Sequence, residues 1–179
     1  EETILVLCPD FPDKKYREVL FLRETNEHIA TWEGHKLTKE EARQTTGIET
    51  VLWLSEFPTL FKTMMVMGDV AYVYLNTNDH YRASVGVETR EARFVKDCMQ
   101  QFPLHKYERM APIMHRLRSV KSATEITLLQ QACDITEKGF RRLLTFVKPG
   151  IAEYEIEAEL AHEFLRNGSR GFAYEPIIA

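Results

Sequence analysis

The chain has 179 residues, 44% hydrophobic and 28% charged, with a net charge of −4. That composition describes a globular protein with enough apolar mass for a core, which excludes a disordered tail; the acidic balance and dispersed Lys and Arg exclude nucleic acid as an expected partner. No apolar stretch reaches transmembrane length, since the longest, around residues 61–74, is broken by Lys62, Gly68 and Asp69, so no membrane partner is expected either.

Three cysteines, Cys8, Cys98 and Cys133, are widely spaced and form no C-x-x-C pair. An odd, scattered set argues against a disulfide framework or a zinc knuckle and for reduced thiols in a cytoplasmic protein. One glycosylation sequon, Asn167-Gly168-Ser169, has no other secretory signal beside it.

In chain order, Thr3-Ile4-Leu5-Val6-Leu7-Cys8 is a continuous apolar run, which predicts a central strand buried on both faces. Residues 17–23 predict a second strand. Ile29-Ala30-Thr31-Trp32 resumes strand character after a short polar link, which suggests a hairpin. Thr38 with Glu41 three positions on is a capping-box signature, so a helix starts there and ends at Gly47. Residues 50–54 predict a buried strand. Residues 57–65 predict a helix, with Phe57, Leu60, Phe61 and Met64 at helical spacing. Residues 70–75 predict a strand, stopped by Asn76-Thr77-Asn78-Asp79. Residues 84–101 predict a helix with Val87, Ala92, Val95, Cys98 and Met99 on one side, and residues 109–117, holding Pro112, an extended link and a short helical piece.

Strands and helices alternate up to residue 117, the pattern of a layered α/β domain. From there the texture changes to two helices. Ser122 and Glu125 form a second capping box, and Ile126, Leu129, Cys133, Thr136, Phe140, Leu143, Leu144 and Val147 mark a long apolar face that ends at Lys148-Pro149-Gly150. The next helix starts near Glu153, carries Ile156, Leu160 and Phe164 as its stripe, and stops at Asn167-Gly168. This helical pair should expose apolar faces, covered by dimerisation or by packing onto another part of the protein. Residues 174–179 are again strand-like. Core-like strands at both ends of the chain suggest neighbours missing on both sides, as in a piece cut from a larger protein.

Chemical motifs are scarce. His162-Glu163-Phe164-Leu165-Arg166 starts like an H-E-x-x-H zinc helix, but Arg166 stands where the second histidine is needed. Glu155 and Glu159 share a helix face, yet with no His or Asp nearby they read as solvated surface. Asp79-His80 reads as a polar turn rather than a metal site. Met64, Met65 and Met67 read as core filler. There is no nucleophile elbow, P-loop or G-x-G-x-x-G, and no triad assembles from the cysteines and six histidines.

One stretch is more specific. His115-Arg116-Leu117-Arg118-Ser119-Val120-Lys121-Ser122-Ala123-Thr124-Glu125-Ile126 resembles the junction at which the catalytic domain opens in the creatinase, prolidase and aminopeptidase P family. Downstream, Ala132, Asp134-Ile135-Thr136 and Val147-Lys148-Pro149-Gly150 are similar to that family's first helix and its end. Glu153-Tyr154-Glu155 and Phe164-Leu165-Arg166-Asn167-Gly168 are similar to its second helix, and residues 172–179 to its first catalytic-domain strand. Upstream, Leu20-Phe21-Leu22-Arg23, Thr31-Trp32-Glu33-Gly34 and Thr46-Gly47-Ile48 resemble the N-terminal domain of the aminopeptidase P branch.

The resemblance implies an α/β fold. A creatinase-type N-terminal domain with a mixed sheet would occupy residues 1–117. The first two helices and first strand of an incomplete pita-bread domain would occupy residues 118–179. It implies a parent Xaa-Pro aminopeptidase that hydrolyses the bond before a proline in second position, using two divalent metals, usually manganese, held by two Asp, one His and two Glu. In the family pattern all of those ligands lie beyond residue 179, so no catalytic or metal residue is expected in this chain, which is itself expected to be inactive with an assembly or substrate-gating role. Two positions remain as candidates. Tyr174 matches a position near the substrate cleft, against the alternative of a core or edge aromatic. Trp32 matches a tryptophan that reaches a neighbouring subunit in some family oligomers, against the alternative of packing at a hairpin end. A homodimer or higher homo-oligomer is the expected assembly. The competing implications are an Xaa-Pro dipeptidase, a creatinase-like amidinohydrolase or catalytically dead homologue, and a non-catalytic interaction module.

Overall fold

The structure is a computed structural model and describes residues 3–77 and 86–178. The expected turn at Asn78, Asp79 and His80, the first residues of the helix expected from residue 84, and Ala179 lie outside the described residues. The chain divides into two units, Glu1–Pro112 and Ile113–Ala179.

The first unit alternates strands and helices. Strands β1 (Ile4–Leu7), β2 (Glu18–Leu22) and β3 (Thr50–Trp53) form one sheet in the order β1-β2-β3, with β1 antiparallel and β3 parallel to β2. Period-two alternation then divides the apolar residues between two faces. On one face Val19, Phe21, Ile4, Val6 and Leu52 pack against Met64, Phe57 and Leu60 of helix α3 (Phe57–Met67). On the other, Leu20, Leu22 and Val51 pack against Ala42 of helix α2 (Lys39–Thr46). Central strand β2 is buried from Val19 to its end.

β1 differs from the sequence expectation. It is an edge strand among the described residues, and although Ile4 and Val6 face the core, Leu5 is 50% exposed and Leu7 61%. The α2 cluster includes β2 and β3 residues but neither of these leucines. An apolar run sets which residues can be buried, not whether an element covers them.

The expected hairpin is also corrected. Residues 27–33 form helix α1 (Glu27–Glu33), not a strand. Asn26 decides this locally: extended itself, it accepts the Ile29 amide on its side chain at 2.9 Å, which starts a helix where β-branched and aromatic residues suggested an extended chain. β2 finds its partners in β1 and β3 instead.

The α2 capping box forms as expected: the Thr38 amide donates to Glu41 Oε2 at 2.8 Å and the Glu41 amide to Thr38 Oγ1 at 3.3 Å. Gly47 closes the helix in the left-handed conformation, φ 75°. Beyond α3, strand β4 (Tyr72–Leu75) and strand β5 (Lys106–Arg109) form a two-stranded parallel sheet, joined through helix α4 (Arg90–Gln101). Val73 and Leu75 pack with Met65 and Cys98, while Tyr72 and Tyr74 face outward. The sequence predicts no element for residues 106–108 and an extended link from Arg109; Lys106-Tyr107-Glu108-Arg109 is mostly charged, and its pairing with β4 makes it a strand. Val87 lies before α4 and is exposed, as is Met99, so the apolar side of that helix is narrower than expected. Of the three methionines read as core filler, Met64 and Met65 are buried and Met67 is exposed. Helix α5 (Ala111–Ser119) starts directly after Met110, with Pro112 in its first turn, where the missing amide costs nothing.

In the second unit, α6 (Ala123–Phe146) and α7 (Glu153–Arg166) are the two expected helices. Residues 172–178 form no strand, because no described strand lies beside them to supply ladder hydrogen bonds.

Candidate functional site

The second unit is organised by its caps and by one glycine. Ser122 opens α6: its amide donates to Glu125 Oε2 at 2.7 Å and its hydroxyl accepts the Glu125 amide at 3.3 Å. The Ser122 amide, and after it the Ser122 hydroxyl, hold the Glu125 carboxyl below its ordinary range. α7 begins with half such a box, the Ala152 amide on Glu155 Oε2 at 2.9 Å, since alanine has no oxygen to return the bond.

α7 meets α6 at Gly139, the one buried residue of α6, with Leu160 and Phe164 pressed onto it. Ile135 and Leu143, one turn to either side, are half-buried. The stripe read from sequence runs elsewhere: Ile126, Leu129, Phe140, Leu144 and Val147 are exposed, and only Leu143 belongs to both sets. The glycine draws the contact because it lets the helices approach, and this leaves the bulkier stripe uncovered. Phe172 continues from the end of α7 onto Phe164, ring centroids 5.4 Å apart.

Three of the five glutamates of α7 are committed to structure. Glu155 caps the helix, Glu159 Oε2 accepts from Arg142 Nε at 2.7 Å, and Glu163 accepts from Arg166 and Asn167. The Arg142 guanidinium is held above its ordinary value by its bond to Glu159. His162 is exposed beside Glu163. Among the described residues no group of three or more His, Cys, Asp or Glu side chains could hold a metal ion. The described residues therefore do not fit a dinuclear metal centre.

Nucleophilic chemistry has no better footing. Cys98 lies under the aromatic side chains of α3 and α4, where burial pushes its thiol up to about 11, and Cys8 is raised for the same reason. A thiol held protonated is a poor nucleophile. Beside Cys98 a hollow of about 210 Å³ between α3 and α4 is walled mainly by Phe57, Phe61, Phe94 and Phe102, with Lys62 and Asp97 also on its lining.

The two residues singled out from sequence are placed as follows. Trp32 occupies the last turn of α1 in the first unit and is 77% exposed, so it does not pack into its own unit's core. Tyr174 follows the Phe172 contact in the second unit and is 83% exposed, which rules out a core role for it in this chain. Sequence reasoning missed two features: the Asn26 cap that makes α1 a helix, signalled by asparagine ahead of Glu27, and the Gly139 crossing, signalled by a glycine inside a helical pattern.

Comparison with known proteins agrees with this architecture. The family model described as aminopeptidase P, N-terminal domain, matches residues 1–74, and that of metallopeptidase family M24 matches residues 127–179. The Xaa-Pro aminopeptidase of Escherichia coli is 30% identical over 99% of this chain and 40% of its own length. That of Haemophilus influenzae is 27% identical over 91% of this chain and 35% of its own. Over a shorter span, 54% of this chain, the Xaa-Pro dipeptidase of Pyrococcus horikoshii is 24% identical. Aminopeptidase P from E. coli superposes on 86% of this chain and 34% of its own with a TM-score of 0.67 at 26% identity. The Pseudomonas aeruginosa aminopeptidase PepP shares the fold, with a TM-score of 0.74 over 94% of this chain and 37% of its own at 20% identity. This chain thus spans about 40% or less of the length of these relatives. With an α/β unit and a helical pair each matched in order, the chain belongs to the aminopeptidase P family of M24 metallopeptidases.

Proposed function

We propose that this chain supplies the N-terminal domain, residues 1–117, and the opening helices of the catalytic domain, residues 118–179, to an Xaa-Pro aminopeptidase acting on peptides with proline in second position. The observation that carries this reading is the 30% identity with the E. coli Xaa-Pro aminopeptidase across 99% of the chain, both units included. The hydrolysis would depend on divalent metal, manganese in our reading, held by residues outside this sequence; the described residues provide no ligand set. The three free thiols fit a cytoplasmic protein.

In this reading residues 1–179 contribute assembly and access rather than bond cleavage. Trp32 serves as an interface residue of a homo-oligomer, supported by its exposure on a helix with no fully buried residue. Tyr174 borders the substrate cleft, supported by its exposure just beyond the α6–α7 pair. The dipeptidase alternative draws on the Pyrococcus relative. Activity on a tripeptide with central proline, compared with an Xaa-Pro dipeptide, separates the two.

The test is hydrolysis of both peptides with added Mn²⁺ by residues 1–179 and by a chain extended through a whole M24 domain. We expect turnover of the tripeptide by the extended chain alone. Turnover by residues 1–179 would overturn the placement of the metal centre. No cleavage by the metal-loaded extended chain would leave the interaction-module reading.

A further inference from the structure

α1 has little reason of its own to be a helix. It has seven residues and none is buried. Helices shorter than about 12 residues are marginal in water, because a costly nucleus is repaid by few propagation steps. Apart from the Asn26 cap, its one side-chain support within the helix is the Thr31 hydroxyl, which donates to the Glu27 carbonyl at 2.9 Å. Its last residue works against it: a glutamate at a helix C-terminus faces the negative end of the helix dipole.

That glutamate is Glu33, and the chain flanking α1 on both sides converges on it. Arg23, immediately after the buried end of β2 at Leu22, places Nη1 3.6 Å from Glu33 Oε2. Lys36, beyond the terminating Gly34 at φ 79°, pairs with the same oxygen. The carboxyl is held below its ordinary range, first by the Lys36 hydrogen bond and then by the Arg23 charge. One end of the clasp is therefore anchored to the sheet. Trp32 is the neighbouring residue.

Exposed ion pairs shift an equilibrium only about 1.4- to 5-fold each. In a well-buried helix that is negligible. In a helix close to parity with the coil, two such pairs on one carboxylate change the dominant state.

We propose that α1 is a two-state strap, and that Glu33, clasped between Arg23 and Lys36, is the positioning residue that holds it helical and so presents Trp32 outward. The clasp is a salt-sensitive control on the Trp32 surface. It deepens the assembly reading, and rests on that reading only for its consequence in the oligomer.

Amide hydrogen exchange on the protein, read at residues 30–33, tests it. Glu33→Gln is expected to speed exchange there about 2- to 20-fold, while the amides of Val19 and Phe21 stay unchanged. Raising NaCl to about 1 M should do the same to the native protein and add little to Glu33→Gln, because screening removes what the substitution has removed already. Arg23→Gln combined with Glu33→Gln should have less effect than the product of the two alone, the mark of a direct coupling. Unchanged exchange in Glu33→Gln, or residues 30–33 exchanging at unstructured rates in the native protein, would overturn the proposal. Light scattering on Trp32→Ala reads the assembly role separately: if exchange behaves as expected but association is indifferent to Trp32, the strap stands and the interface reading falls.

Discussion

Gly139 on α6 and Leu160 on α7 leave no room for a side chain between them: a Cβ on Gly139 would lie 2.7 Å from Leu160 Cδ1 and 2.8 Å from Phe164 Cε1. Both neighbours are the far ends of flexible side chains, so a small group can be admitted if they turn. Gly139→Ala sets a gain of about 1 kcal/mol in helix propensity against an overpacking cost of about 1–3 kcal/mol. Gly139→Val lacks most of that gain and adds two methyl groups to the crossing. The expected order of stability in urea denaturation is native, then Ala by a small margin, then Val lower by about 2–3 kcal/mol. Equal stability of the Val variant would show that α7 does not rest on Gly139.

The glutamates of the two capping boxes give a pH dependence whose sign is fixed. Glu41 and Glu125 are both held below their ordinary range, first of all by the backbone amides of Thr38 and Ser122. A carboxyl with a depressed folded-state pKa contributes stability that is complete above its unfolded value and is lost as pH falls through the folded one. The starts of α2 and α6 should therefore fray below the ordinary glutamate range and be unaffected between about pH 6 and 8. Glu125→Gln keeps a group able to accept the Ser122 amide but does not titrate. Residue-resolved NMR across an acid titration should show the fraying at Ser122 in the native protein and its absence in Glu125→Gln. Identical titrations in the two would remove the box as the cause.

These boxes also show what could be read from the sequence. A cap is a local event within four residues, so Thr38 with Glu41 and Ser122 with Glu125 were legible, and so were the alternation of the first unit and the two long helices of the second. What depends on partners distant in sequence was not. β5 is a strand because β4 runs beside it, with Tyr72 opposite Lys106 and Tyr74 opposite Glu108. The face of α6 that meets α7 is chosen by close approach at Gly139 and not by the most apolar stripe. Tyr174 and Trp32 came from resemblance to a family, and within each unit the structure gives their exposure and the element that carries them. No metal-ligand spacing was legible in the sequence, since Arg166 stands where the H-E-x-x-H pattern begun by His162 and Glu163 needs its second histidine.

Tyr107 closes the α4–β5 connection. Its hydroxyl lies 2.8 Å from the Cys98 carbonyl and 2.7 Å from the Phe102 carbonyl, at the end of α4. Each carbonyl also accepts a backbone amide, that of Phe102 on Cys98 at 2.8 Å and that of His105 on Phe102 at 3.3 Å, so both keep a partner when the hydroxyl is removed. Tyr107→Phe should cost about 0.5–1.5 kcal/mol, the net contribution of one hydrogen bond with no buried carbonyl orphaned. Chemical denaturation followed by near-ultraviolet signals from the first unit checks it. A cost below about 0.3 kcal/mol would mean that water replaces the hydroxyl without loss.

Trp32→Ala separates folding from association. Trp32 is 77% exposed and α1 buries no residue, so little apolar area leaves the folded unit with the indole. Surface substitutions of this kind change stability by about 0.5 kcal/mol or less. An interface aromatic behaves differently: truncating a buried anchor between subunits costs about 2 kcal/mol or more, at least a 30-fold loss in association. The expected outcome is an unchanged urea midpoint together with a shift toward monomer, measured by light scattering over a concentration series on the chain extended through its M24 domain. Loss of stability with intact association would place the indole in the fold of its own subunit. An unchanged midpoint with unchanged association would leave Trp32 as solvated surface, with assembly carried by other residues.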